Sequence, residues 1–261
     1  MSASAAERAR SATGPAGARA AAPALAVSGL SAWYGSARIL FDVDLSVGRG
    51  EVVALMGRNG AGKSTTLRSI MGLVARRSGS VRFDGREVSR LPAYRIARLG
   101  VGYVPEDRRI FTDLTVLENL DVGAKAPRAW SDGAAPRAWT PERLFRLFPN
   151  LGRMPDRRGG MMSGGEQQML SVARTLMGNP LVVLLDEPSE GVAPVIVEEL
   201  AATILEMKAA GLSVLLSEQN LAFAEAVADR VHVLDQGAIR FSGTFAELAA
   251  DGEVRARHLG L

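Results

Sequence analysis

The segment from Gly57 to Thr65, GRNGAGKST, constrains this chain more than any other. It follows VVALM (Val52 to Met56), a run apolar on both faces, as a buried parallel strand is. After it, Leu67, Ile70, Met71 and Val74 fall at i, i+3, i+4 and i+7, the stripe of an amphipathic helix. Strand, glycine-rich turn and helix open an α/β unit, and the turn matches G-x-x-x-x-G-K-[ST] in full. Backbone N–H groups converge on a phosphate chain only where the chain curls tightly and approaches closely, which Gly57, Gly60 and Gly62 permit. Lys63, at the predicted helix start, places a cation on the β- and γ-phosphates, and the helix dipole adds to it. The Ser64 hydroxyl can ligate Mg2+, and Thr65 reaches toward the α-phosphate.

Composition narrows the alternatives. Of 31 basic side chains only Lys63, Lys125 and Lys208 are lysine, so Lys63 stands where a compact ammonium fits a cradle that a planar guanidinium would overfill. Cysteine is absent, which excludes disulfide scaffolds, cysteine-ligated zinc, iron–sulfur clusters and thiol nucleophiles, and His232 and His258 are too few for a histidine-rich metal site. A pI near 9.7 suggests nucleic acid, but residues 1–24 carry Arg8, Arg10 and Arg19 against Glu7, which leaves the rest almost neutral. No nucleic-acid partner is expected. Those residues, rich in Ala, Arg, Ser and Gly, read as a disordered tail; a transit peptide is the alternative. No run approaches the roughly 18 apolar residues of a membrane span, so a membrane role must pass through a partner.

The remaining pattern reads as α/β, with a largely parallel sheet and an inserted helical section at about 106–170. Short strands are expected at Leu25 to Leu30, Ile39 to Val47 and Val101 to Val104, with a strand pair around Asp84-Gly85 followed by a helix. Thr115 and Glu118 have capping-box spacing and open a helix. Residues 124–141 hold APRAW twice and two tryptophans, and read as a surface-loop insertion. Strands at Leu181 to Leu185, Ser213 to Ser217 and Val231 to Leu234 alternate with helices at about 194–210 and up to about 228, and a hairpin closes the chain.

Two further motifs carry chemistry. The strand LVVLL delivers Asp186 and Glu187 to the crevice where an α/β sheet binds ligand. Asp186 would hold Mg2+ through water, and Glu187 could act as general base on an attacking water. In MMSGGEQQM, Ser163 and Glu166 again have capping-box spacing, so Ser163-Gly164-Gly165 should form an exposed helix N-terminus, a second anion site.

GRNGAGKST, MSGGEQQ and LVVLLDEP in this order resemble the ATP-binding subunit of ATP-binding cassette (ABC) transporters across residues 25–261. The resemblance implies a P-loop NTPase core with an N-terminal antiparallel β subdomain and a helical subdomain. It implies ATP held by the loop from Gly57 through Arg58, Asn59, Gly60, Ala61, Gly62, Lys63 and Ser64 to Thr65, with Tyr34 stacked on adenine. The signature Ser163, Gly164, Gly165 and Glu166 would cap the γ-phosphate of a second ATPase subunit, a homologue or a second copy. Catalysis would fall to Glu187, Gln219 and Lys63.

Several positions mark a branch. VPEDRRIF places Glu106 where most members carry a Mg2+-sensing glutamine, and LLSEQN places Gln219 at the usual switch histidine. SEGVAP carries Ala193 where an aspartate is usual. With TVLENL, SGGEQQML and DEPSEG, these resemble the smaller ATPase subunit of branched-chain amino-acid importers and their urea-importer relatives. The implied setting is the cytoplasmic face of the inner membrane, docked on permease subunits and served by an extracytoplasmic solute-binding protein. A nucleic-acid-acting cassette protein would need coiled coils or two cassettes, and a P-loop kinase or GTPase leaves MSGGEQQ unexplained.

Overall fold

A computed structural model describes residues 22–260. The chain order is β1 (Leu25–Tyr34), β2 (Ala37–Val47), β3 (Val52–Met56), α1 (Lys63–Ile70), β4 (Arg76–Phe83), β5 (Arg86–Glu87), α2 (Ala93–Leu99) and β6 (Val101–Val104). A helical stretch follows: α3 (Val116–Gly123), α4 (Pro141–Leu147), α5 (Pro149–Gly152) and α6 (Gly164–Met177). The chain then runs β7 (Val182–Asp186), α7 (Pro194–Ala209), β8 (Ser213–Glu218), α8 (Leu221–Val227), β9 (Arg230–Asp235), β10 (Ala238–Gly243), α9 (Phe245–Ala250) and α10 (Gly252–Val254).

Two sheets result. Strands β2-β1-β4-β5 form an antiparallel sheet, and β10-β9-β3-β8-β7-β6 a mixed one, parallel from β9 to β6 with β10 antiparallel at its edge. β3 and β7 are buried at every position, as strands covered on both faces must be. The expected α/β architecture is therefore present.

Local signals place most boundaries. Thr115 and Ser163 each accept from the N–H three residues on while Glu118 and Glu166 reach back, so both capping boxes form. α7 ends where Gly211 turns at φ 88°. Five features differ from the sequence reading. The stripe through Val74 outlasts its helix, because α1 ends at Ile70 and Gly72 reverses the chain at φ 73°; Met71 and Val74 are buried from the turn instead. α6 runs on to Met177, past the expected end of the helical section. Past the closing hairpin, α9, α10 and a π-helical turn at Arg255–Leu259 complete the described chain. The tail assigned to residues 1–24 lies mostly outside the described residues, but Ala24 is fully buried and its carbonyl accepts from the Asp84 N–H.

The fifth difference is the duplicated segment. It has no helix or strand between Ala124 and Thr140, as expected of a loop, yet Trp130 and Trp139 are 5% and 3% exposed. Trp130 packs with Phe83 at 6.0 Å between ring centroids and lies under the Arg49 guanidinium, 4.7 Å from the ring centroid, while Trp139 joins the core that α6 and α7 share. The aromatic rings bury too much apolar area to stay in water once two neighbouring core clusters offer them seats. The segment is a strap pinned to the body, not a free surface loop.

Candidate functional site

The loop after β3 is shaped by two close contacts. A Cβ on Gly57 would lie 2.3 Å from the Leu234 carbonyl oxygen, so glycine is needed there for close approach to β9. Gly62, at φ 108°, turns the chain into α1 and caps it. The loop rests on the β9–β10 turn, where the Gly237 N–H donates to the Ala61 carbonyl at 2.8 Å.

Lys63 opens α1 and is 3% exposed. Its ammonium donates to the carbonyls of Gly57 at 2.6 Å and Arg58 at 3.1 Å, and lies 3.2 Å from a Glu187 carboxylate oxygen. A buried cation is tolerable because three oxygens surround it. Tyr34, Gly60, Gly62, Lys63, Ser64, Thr65 and Glu187 line one cavity of about 250 Å³. Tyr34, 48% exposed at the end of β1, stands on its rim.

Glu187 follows β7 in left-handed backbone, φ 46°, an unfavourable conformation for a side chain with a Cβ. Its N–H donates to both the carbonyl and the hydroxyl of Ser217, which holds the turn. Burial opposes ionisation of its carboxyl, but hydrogen bonds from Gln219 and Glu190 and the Lys63 charge bring the balance below the ordinary carboxylate value. Glu190 is displaced upward by sharing that hydrogen bond with Glu187. The Gln219 amide donates at 2.5 Å to Glu187 and at 2.7 Å to the Asn59 side chain, so it joins Glu187 to the glycine-rich loop.

Asp186 is fully buried at the end of β7. It accepts from Ser217 Oγ at 2.9 Å and from the Tyr103 hydroxyl at 2.8 Å, partners supplied by β8 and β6, the strands on either side. Burial, then the Asp186 charge, raises the Tyr103 pKa, and the Tyr103 hydroxyl chiefly raises that of Arg68. Tyr103, Arg68, Ser217 and Glu190 were not singled out by sequence; the pairing of β6, β7 and β8 brings in Tyr103 and Ser217, while Arg68 comes from α1 and Glu190 from the turn after β7. Among the described residues no group of three or more His, Asp or Glu could hold a metal alone. A hydroxyl at Ser64 and a carboxylate at Asp186 with lone pairs left over are hard oxygen donors of the kind Mg2+ shares with phosphate.

Ser163, Gly164, Gly165 and Glu166 form the N-terminus of the 14-residue α6, with Ser163 and Gly164 exposed, and none of them lines the Lys63 cavity. Glu106 is likewise exposed and outside that lining. Arg108, in left-handed backbone, holds its guanidinium over Gly164, where a Cβ would meet it at 2.9 Å. A larger cleft of about 440 Å³ lies away from the loop, between α2, β6, α3 and α6, lined by Met71, Tyr103, Phe111, Val122 and several cations. His232 is buried and lowered to about 4 by burial and then by Arg230. It contacts Ser242 and takes no part in the cavity.

A buried lysine at the start of a helix, met by a carboxylate from the end of a parallel strand, defines a P-loop nucleotide hydrolase. The ABC transporter profile matches residues 40–190. The chain is 42% identical over 231 residues to the high-affinity branched-chain amino acid transport ATP-binding protein BraG of Pseudomonas aeruginosa, covering 88% of this chain and 97% of that protein. It is 35% identical over 236 residues to the lipopolysaccharide export system ATP-binding protein LptB of Escherichia coli K12, covering 90% and 97%. A nucleotide-free ATP-binding cassette from an ABC transporter superposes with a TM-score of 0.74 at 27% identity, over 89% of this chain and 97% of that one. The chain therefore belongs to the ABC transporter family, and it is an ATPase.

Proposed function

We propose that this ATPase energises an importer of branched-chain amino acids, seated peripherally on the cytoplasmic face of the inner membrane. No helix among the described residues is long and apolar enough to cross a membrane, so the solute path would belong to permease subunits, fed by an extracytoplasmic binding protein. The 42% identity to BraG over nearly the whole length supports this cargo, as do Glu106 and Gln219 at their positions. LptB, at 35% identity, is a similar cassette that belongs to a lipopolysaccharide export system.

The observation that carries the catalytic reading is the chain Lys63–Glu187–Gln219. An incoming triphosphate competes for the Lys63 ammonium, now held by Glu187 and two loop carbonyls, and frees the Glu187 carboxylate to face the γ-phosphate. Water attacks the γ-phosphorus, its proton passes to Glu187, and the bond from phosphorus to the β–γ bridging oxygen breaks, leaving ADP and phosphate. Gln219 orients Glu187 as a neutral donor. Mg2+ would be held by Ser64, Asp186 and Glu106 and would neutralise phosphate charge. The N–H groups of Ser163, Gly164 and Gly165, with Glu166 completing their cap, would meet the ATP of a second ATPase subunit, so ATP would close the pair and hydrolysis release it. The 440 Å³ cleft, with Phe111 and Val122 about half exposed, is the seat proposed for a permease.

The test is reconstitution with the cognate permease and binding protein. Leucine, isoleucine or valine should raise ATP hydrolysis several-fold. Stimulation by urea alone, or by none of these, refutes the cargo.

A further inference from the structure

Asp186 is fully buried at the end of β7, and a hydroxyl holds each of its carboxylate oxygens. Ser217 Oγ, from β8, donates to Oδ1 at 2.9 Å, and the Tyr103 hydroxyl, from β6, donates to Oδ2 at 2.8 Å. Neither hydroxyl is free to turn away. Ser217 Oγ accepts from the Glu187 N–H at 3.1 Å and gives its own proton to Asp186. The Arg68 guanidinium of α1 approaches the Tyr103 hydroxyl, and a guanidinium has donors only, so the phenolic proton also goes to Asp186.

An ionised carboxylate has lone pairs to spare on both oxygens, and the two hydroxyls take one from each. What remains suits a cation that keeps its waters and asks one small contact of each carboxylate, which is how Mg2+ is bound. Ca2+ takes more oxygens, in a looser geometry, and accepts carboxylates that wrap it with both oxygens. A carboxylate tied on both sides turns to do so only by giving up a hydrogen bond inside the protein, and a lost bond to a buried charge is costly.

We propose that Tyr103 is a positioning residue that sets the metal preference of this ATPase. By holding Asp186 Oδ2 it keeps the carboxylate in the orientation that serves Mg2+ and disfavours Ca2+, and Arg68 supports it by fixing the direction of the Tyr103 proton. This rests on the reading of Asp186 as a Mg2+ holder put forward above. Tyr103 and Asp186 stand 83 residues apart, so no motif announces the pair.

The probe is a fluorescent β,γ-imido analogue of ATP, titrated onto the full chain with saturating Mg2+, with saturating Ca2+, or with a chelator and no metal. Binding is read, so turnover plays no part. The unaltered chain should bind the Mg2+ complex more tightly than the Ca2+ complex. Tyr103→Phe should weaken the Mg2+ complex by about tenfold, leave the Ca2+ complex as tight as before or tighter, and leave the metal-free analogue unchanged. Asp186→Asn should weaken the Mg2+ complex at least as much. Equal binding of the two complexes by the unaltered chain overturns the proposal. Equal weakening of all three forms in Tyr103→Phe marks a merely structural role and overturns it too. If Asp186→Asn leaves the Mg2+ complex unchanged, the metal reading itself fails. Should Tyr103→Phe fail to fold, Arg68→Met, which releases the Tyr103 hydroxyl to turn from Asp186, decides by the same comparison.

Discussion

Replacing Glu187 by glutamine separates the structural and chemical duties of one carboxylate. The Lys63 and Glu187 side chains are 2% and 8% exposed and 3.2 Å apart, so the pair is buried. At an effective dielectric of about 20, two unit charges at that distance attract by about 5 kcal/mol before desolvation is counted. Removing one partner of such a pair costs about 3–5 kcal/mol, and the Gly57 and Arg58 carbonyls that stay on Lys63 put this case near the lower bound. The nucleotide-free variant should therefore melt well below the unaltered chain. ATP should rescue it more strongly than it stabilises the unaltered chain, because the phosphate no longer competes with a carboxylate for Lys63. Loss of a general base should slow turnover by about 10²–10⁴-fold, which leaves ATP bound and the paired state trapped. Thermal melting with and without ATP, single-turnover hydrolysis and sedimentation of the ATP-loaded protein read the three effects. Turnover at the unaltered rate would refute the assignment of the base. An unchanged melting point without nucleotide would refute the buried ion pair.

Gln219→Ala should lower hydrolysis less than Glu187→Gln does, since it removes an orienting amide and leaves the carboxylate; the reverse order in a steady-state assay sinks the neutral switch. Asn179→Ala removes the side-chain clamp on Trp139 and Lys125 and leaves a Cβ at φ 46°, which should cost about 2–3 kcal/mol in urea unfolding. His232, lowered from 6.5 to about 4, takes up protons at higher pH when unfolded than when folded. Stability is therefore full above about pH 6.5 and falls by about 3 kcal/mol as pH drops toward 4. His232→Gln should flatten that part of the urea-midpoint profile, and an unchanged slope would place the titration elsewhere.

The candidate site was largely legible because its parts are local. GRNGAGKST, the Asp186-Glu187 pair and the Ser163–Glu166 capping box each act through spacings of a few residues, which sequence states directly. The Trp130 and Trp139 rings were misjudged for the opposite reason. Alanine, proline and glycine around them mark a loop, and nothing nearby says that two separate core clusters each have room for an indole.

What the sequence by itself determined is the presence of a phosphate cradle, its cation and its carboxylates, and the alternation of strands and helices that carries them. What only the tertiary structure decided is which distant groups those residues meet. Ser217 and Tyr103 reach Asp186 because β8 and β6 flank β7 in one register. Gly57 must be glycine because the Leu234 carbonyl crosses behind it. The strap's Arg128 faces a cleft without acids because Asn179 holds both strap ends. Each depends on strand pairing and close packing between segments far apart in the chain, and a one-residue shift of register would rearrange them while leaving every motif intact.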